Sequence, residues 1–446
     1  MSNKLGRKTW LAIILFSLCG QVAWTIENML FNVFIQEEFN ANLNQISLMV
    51  SASAVSATIT TLFMGALSDK IGKRKVFICF GYLLWGLSIM AFALLRVETL
   101  SSIFGQTVNA VALGIGLTIG FDCLMTFFGS TANDASFNAW MTDSTDSTNR
   151  GKVEGVNSAM PLIAILVVFG SNMLLENNDN HWTILFLVIG VVVLLVGILG
   201  FFIIDERKVE SKNEAYFKNI FHGFRIKVIK ENKLLYSFLL GMCIFSISIQ
   251  IFMPFLILYF TNTIKLANYV LIFAPAIILA AIFTVFYGKL IDRFGFVKTS
   301  VISISIYILG LILLGLITNV VFVFIGTLFM MMGYLSLTAC FNAAIRDNTP
   351  KKEIGLFQGI RIFVSVLIPM LVGPWIGSFI SNAFSANNAG EGFLGVAGND
   401  YTPSSLIFIA SAVVAIFTFI VIYLIYKKKG DSDVKLQHDD AMGEKS

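Results

Sequence analysis

Apolar residues run along the chain in blocks of about twenty, parted by short polar stretches rich in Gly, Asp, Lys and Arg. A helix that crosses the hydrocarbon core needs ~20 mostly apolar residues. In lipid, only helices and closed barrels satisfy every backbone polar group. The length and number of the blocks favour helices over barrel strands. They predict twelve spans over residues 10–35, 44–67, 76–95, 101–129, 151–175, 182–204, 235–260, 268–287, 299–318, 320–345, 355–383 and 404–426. Lys4, Arg7 and Lys8 precede the first run as in a signal peptide. That run continues past Trp24 to Phe34 without a small-residue cleavage site, so an uncleaved first helix is expected.

Composition agrees with a membrane setting: 57% of residues are hydrophobic and only 13% are charged. Soluble domains carry ~25% charged residues. The positions of the charges fix an expected orientation. With a cytoplasmic N-terminus, 28 of the 31 Lys and Arg fall in inner segments, Arg96 and Lys265 in outer loops, and Arg361 within a span. The positive-inside rule therefore predicts both termini in the cytoplasm, in the plasma membrane, with lipid as the surrounding partner. There is no basic tract for nucleic acid. Cys19, Cys79, Cys123, Cys243 and Cys340 all lie inside predicted spans and read as small apolar residues. No phosphate-binding loop, metal-ligand cluster or Ser–His pair is present, so neither an enzyme nor a cofactor is expected.

The longest inner loop divides the chain. The expected organisation is an N-terminal six-helix bundle (1–204), a linker (205–234), a C-terminal six-helix bundle (235–426) and a cytoplasmic tail (427–446). In the linker, Phe217, Phe221, Phe224 and Val228 share a helical face, consistent with a surface helix or with an unstructured link. The two bundles repeat a loop pattern. Gly65, Asp69, Lys70 and Gly72 after span two match Gly288, Asp292, Arg293 and Gly295 after span eight. Asp143 precedes Gly151 and Gly155 by the same intervals that part Asp347 from Gly355 and Gly359. A duplicated six-helix unit follows, and such repeats mark alternating-access transporters.

The stretch from Gly65 to Lys75 resembles the signature loop of the major facilitator superfamily between helices two and three, and the run from Asp143 to Gly151 resembles its helix 4–5 loop. The resemblance covers the whole chain. It implies an all-α fold of twelve transmembrane helices in two pseudo-symmetric six-helix bundles, working as a monomeric secondary carrier. It also implies gating roles for Asp69, Lys73, Arg74, Asp143 and Arg150 in the first half and Asp292, Arg293 and Asp347 in the second. Asp69 would face the start of span eleven near Gly355, and Lys73 or Arg74 would pair with Asp143. The alternative is that these charges only set topology. Lys73 departs from the commoner Arg and loses its bidentate fork.

Ionisable groups at mid-bilayer cost at least ~2.5–3.5 kcal/mol, so they usually face a polar cavity. Glu27, Asp122 and Arg361 are the clear cases. Gln21, Thr25, Asn28 and Asn32 share one face of span one, with Trp24 and Glu27 at its margin. Thr118, Asp122 and Thr126 form a column in span four. Tyr334, Thr338 and Asn342 share a face of span ten, and Gln358, Arg361 and Ser365 a face of span eleven. Gln250 lies one turn before Pro254 in span seven, where a bend is expected. Each stripe lines a cavity or bonds a neighbouring helix.

Amides, carboxylates, Arg and Trp together suit a small polar solute. The placement of Glu27, Asp122 and Arg361 is similar to that in glycoside–pentoside–hexuronide:cation symporters, which implies a sugar or glycoside. Those symporters carry cation-binding acids in span two, where this chain has Ser51, Ser53, Ser56, Thr58, Thr60 and Thr61. A coupling proton is therefore expected rather than sodium. The rival expectation is a drug or lipophilic-compound exporter of the same fold. The Gly-Pro signature common in superfamily antiporters is missing from span five, and Gly373 and Pro374 sit instead in span eleven.

Overall fold

The computed structural model describes residues 5–105, 109–145, 149–175, 178–205, 222–266, 268–350, 357–384 and 402–443. Among them are twelve helices long and apolar enough to span a membrane. They are α1 (Arg7–Phe39), α2 (Leu43–Ile71), α3 (Arg74–Leu94), α4 (Ala110–Ser144), α5 (Gly155–Leu175), α6 (His181–Ile203), α7 (Lys233–Thr263), α8 (Tyr269–Ile291), α9 (Arg293–Leu316), α10 (Val320–Asn348), α11 (Gly359–Phe384) and α12 (Leu406–Lys427). The predicted number and order of spans hold. The fourth differs from the 101–129 expected. A short helix, Val97–Phe104, ends at Gly105 before α4 begins, and α4 runs fifteen residues past Gly129 to Ser144. The polar run Ser130–Phe137 stays helical as a wide π-type turn. The helix that carries α12 also continues past the membrane-length segment, to Gly443.

Local chemistry sets several helix ends. Asn42 caps α2 reciprocally: its side chain accepts from the Gln45 amide at 2.9 Å, and the Gln45 side chain accepts from the Asn42 amide at 2.9 Å. Gly72 ends α2 in the left-handed region at φ 68°. Gly295, its counterpart in the repeated loop pattern, has φ 74° and ψ 171° and kinks the chain just after the start of α9. Only glycine adopts that conformation without a Cβ penalty. Both copies place glycine at a positive φ, although ψ differs, 16° at Gly72 and 171° at Gly295.

The chain divides into two compact units. One comprises Met1–Ile220 with Met253–Val270 and Ser381–Ser404, and the other comprises Phe221–Phe252, Leu271–Ile380 and Ser405–Ser446. In the first, α3 and α6 meet through small residues: a Cβ on Gly86 would stand 2.6 Å from the Gly190 carbonyl. In the second, a Cβ on Gly310 would stand 2.7 Å from the Gly326 carbonyl, so α9 and α10 meet in the same way. A buried hydroxyl cluster adds to the second unit. Ser411 Oγ donates to the Ser248 carbonyl at 2.7 Å, and Tyr307 Oη lies 3.1 Å from Ser248 Oγ. The linker residues Phe217 and Phe221 lie outside the described residues, while Ile226–Glu231 forms a short helix.

α7 is interrupted twice. A 3-10 turn occupies Met253–Phe255 around Pro254, and a π turn occupies Tyr259–Thr263. The bend expected beside Gln250 has its physical source here, because proline removes a backbone donor and frees a carbonyl.

Candidate functional site

Helices α1 and α4 run antiparallel in tight register. Moving down α1 and up α4, Phe39 lies against Gly114, Glu27 bonds Thr126, Trp24 lies against Gly129, and Gly20 lies against Asn133. Equal steps on the two helices separate these contacts. Gly114 and Gly20 make the close approach possible: a Cβ on Gly114 would sit 2.0 Å from the Phe39 ring, and one on Gly20 would sit 2.3 Å from Asn133 Nδ2. Both helices carry a π turn at this seam, Ile26–Leu30 in α1 and Ser130–Phe137 in α4. Such turns widen the helix and re-aim side chains, and they recur at functional sites.

Glu27 stands on the π turn of α1 and is 6% exposed. Its Oε1 accepts from Ser53 Oγ of α2 at 2.6 Å and from Thr126 Oγ1 of α4 at 2.9 Å. Its Oε2 is buried and has no protein hydrogen-bond partner among the described residues. Asp122, one turn along α4 from Thr126, is 2% exposed, and its Oδ1 is likewise without a protein partner. The two carboxyl groups lie within electrostatic reach of each other. Buried acceptors left unpaired cost about 1–3 kcal/mol, and more when charged. Unpaired buried oxygens of this kind call for a partner such as an ordered water, an ion or a solute.

The polar stripe of α1 is partly spent on its own helix. Thr25 Oγ1 donates to the Gln21 carbonyl at 2.7 Å, Asn28 Nδ2 to the Trp24 carbonyl at 2.7 Å, and Asn32 Nδ2 to the Asn28 carbonyl at 3.1 Å. Turning the amide nitrogens inward leaves the amide oxygens as the acceptors on offer. Asn32 Oδ1 is buried with no protein partner. Asn28 is exposed, and Gln21 and Trp24 are half-buried.

Asp134 falls between the expected spans 101–129 and 151–175, but α4 continues through it. It accepts from Ser130 Oγ at 3.3 Å. The signal was present: Thr118, Asp122, Thr126, Ser130 and Asp134 recur every fourth residue. A stride of four drifts around an ordinary helix of 3.6 residues per turn. The wider turn at Ser130–Phe137 offsets that drift and keeps the column together.

At the α4 end near Ser144, Arg74 joins three helices. Its Nη2 lies 2.6 Å from Asp69 Oδ1 of α2, and its Nε donates to Asp143 Oδ2 of α4 at 2.6 Å. Arg74 rather than Lys73 takes this role; Lys73 is exposed. Gly355, the expected neighbour of Asp69, lies outside the described residues, as does the side chain of Arg150.

In the second unit, Arg361 lies in the first turn of α11, exposed, and its Nη2 donates to Asn342 Oδ1 of α10 at 3.0 Å. Gln250 packs against Gly373, where an added Cβ would lie 2.5 Å from its own Cβ. The Tyr334 ring lies 6.5 Å from that of Phe245. The Gln358 and Asp292 side chains lie outside those described. Arg293 sits over the Phe294 ring at 5.3 Å, and exposed Asp347 lies 3.9 Å from Arg346. Among the described residues Arg293 and Asp347 form no ion pair like that of Arg74 and Asp143; in the repeated pattern Arg293 corresponds to Lys70, and Val297 stands where Arg74 does. Among the described residues, no group of three His, Cys, Asp or Glu could hold a metal ion.

Known proteins place this arrangement. A family model described as Major Facilitator Superfamily matches residues 9–279 and 238–441. Three solved structures share the fold over nearly the whole chain. A bacterial homolog of the human lysosomal transporter Spinster is 14% identical, with 94% of this chain and 96% of that one covered at a TM-score of 0.68. The nucleoside transporter NupG is 14% identical, with 95% and 100% covered at 0.66. The xylose transporter XylE from E. coli is 12% identical, with 93% and 98% covered at 0.66. No curated protein matches the sequence. With twelve spans, a duplicated loop motif and a family match over most of its length, the chain is a multi-pass membrane protein that belongs to the major facilitator superfamily of transporters.

Proposed function

We propose that the protein is a proton-coupled secondary carrier of a small polar solute, a sugar or glycoside being the class that fits best. The observation that carries this reading is Glu27. It is a buried carboxyl bonded by two neutral hydroxyls, with its other oxygen unpaired. A carboxyl held in this way exchanges a proton without first breaking an ion pair. Asp122 nearby offers a second proton site. Proton occupancy changes the charge buried in the membrane and so biases the two access states by differential stability. One charge crossing the potential is worth ~2.3 kcal/mol per 100 mV, which supports modest accumulation.

The solute reading draws on side chains that can bond hydroxyl-rich rings: Gln21, Trp24, Asn28 and Asn32 in the first unit, and Gln250, Tyr334, Asn342, Gln358 and Arg361 in the second. The similar structures transport xylose and nucleosides, both with a polyhydroxylated ring. The charge distribution supports a plasma-membrane protein with both termini cytoplasmic. A single chain supplies both halves, so a monomer suffices. Purified protein in liposomes with an acidic exterior should accumulate labelled xylose or uridine, and a protonophore should collapse that accumulation. Loss of a preloaded lipophilic cation instead, driven by the same gradient, would favour an exporter.

A further inference from the structure

The apolar stripe of the linker is used differently in the structure from a helix that rests on lipid. Its described members, Phe224 and Val228, turn onto the protein. The Phe224 ring meets the Phe363 ring of α11 edge-on at 5.1 Å, and Val228 is buried. The turn before the short helix is clamped as well. A Cβ on Gly223 would stand 2.7 Å from Ile360 Cγ2 of α11, and Tyr236 Oη of α7 donates to the Gly223 carbonyl. Asn232 Nδ2 closes the helix on the Val228 carbonyl at 3.0 Å. Residues Gly223 to Asn232 thus form a strap that runs into α7 at one end and lies on the start of α11 at the other. Phe363, which it grips, opens the π turn Phe363–Leu367 of α11.

The opposite face of the strap is exposed. Ile226 is 72% exposed and Ile229 37%. Helical spacing places both beside Lys230, on the side away from Val228. Arg225, Lys227, Lys230 and Lys233 are all exposed, against one acid, Glu231, which lies 4.0 Å from Lys227. The helix ends immediately before α7 begins at Lys233, so this face lies at the end of a membrane crossing. Bare isoleucines among cations match a headgroup layer: the apolar side chains enter the acyl boundary while the ammonium groups meet phosphate. The excess of cations selects an anionic surface, which attracts them within a Debye length. We propose that the strap is a docking surface for anionic phospholipid headgroups, and that docking steadies the start of α11 through Gly223 and Phe224. A strap drawn to the membrane surface is less free to lift from Ile360 and Phe363. This role is independent of the solute and of the coupling ion.

The test uses the full-length protein in liposomes of phosphatidylcholine, with and without added phosphatidylglycerol. An environment-sensitive dye attached in Ile226→Cys should emit at shorter wavelength when phosphatidylglycerol is present, and high salt should reverse the shift. Lys230→Gln combined with Lys233→Gln should abolish the shift, whereas Phe224→Ala should keep it. The hold on α11 is read in Ser365→Cys, which lies in the π turn. Its alkylation by a water-soluble maleimide depends on local opening, and should slow severalfold with phosphatidylglycerol. Phe224→Ala should remove that slowing, and Phe224→Leu serves if the alanine variant fails to fold. The native protein, treated alike, gives the background from its own cysteines. The same dye spectrum in both kinds of liposome, a shift produced by inorganic phosphate in phosphatidylcholine alone, a shift that survives loss of both lysines, or a Ser365→Cys rate indifferent to lipid would overturn the proposal.

Discussion

Replacing Arg74 with alanine is expected to give a large loss of stability, and to remove most transport activity with it. Arg74 is 8% exposed and is bonded at 2.6 Å to each of two carboxylates from different helices. Removing one partner of a buried ion pair costs about 3–5 kcal/mol, because the remaining charges stay behind unpaired. Water reaches Asp143, whose side chain is 31% exposed, so the lower end of that range applies. Arg74→Lys keeps the charge but not the planar fork that spans both acids, and should recover only part of the loss. The melting temperature of detergent-purified variants reads the first effect, and uptake into liposomes reads the second. Native values of both in Arg74→Ala would show that the cluster serves only to set topology.

The second large effect is expected on the opposite face of the membrane. Within the first unit, Asn262 Nδ2 of α7 donates to Gln36 Oε1 of α1 at 3.2 Å, and Asn382 Nδ2 of α11 donates to Asn44 Oδ1 of α2 at 3.1 Å. By the count of crossings, all four residues lie on the face away from the N-terminus. Neutral amide pairs are worth only about 0.5–1.5 kcal/mol each, weak enough to part and re-form in every cycle. If they must part for solute to enter, fixing them should stop the cycle. Asn44→Cys with Asn382→Cys, joined by a short bis-thiosulfonate linker, should lose uptake completely and regain it on reduction. Each single cysteine variant should keep uptake under the same treatment. Undiminished uptake after cross-linking would mean that these ends stay together throughout transport.

Much of the architecture could be read from the chain because lipid imposes a simple rule: about twenty apolar residues make a crossing. The repeated loop pattern was equally legible, and both copies put glycine at a positive φ, Gly72 at 68° and Gly295 at 74°. Asp134 was missed for a physical reason. A run of Ser, Thr, Asn and Asp normally ends a membrane helix, but here Ala132 packs under Gly81 and Asn133 under Gly20, so the run is buried between helices. Contacts among distant segments, not local polarity, keep it helical. The stripe on α1 was visible as a stripe. That its amide nitrogens bond the preceding turn depends on rotamers, which spacing does not reveal.

The central claim is that Glu27 and Asp122 carry the proton that drives accumulation. The most direct measurement compares two modes of transport in Glu27→Gln and Asp122→Asn, reconstituted in liposomes with the solute that the native protein accumulates. Exchange of labelled for unlabelled solute needs no net proton movement, whereas uphill accumulation does. The account predicts that at least one variant keeps exchange while its gradient-driven accumulation falls to the level set by simple equilibration. Accumulation at the native level in both variants would contradict it.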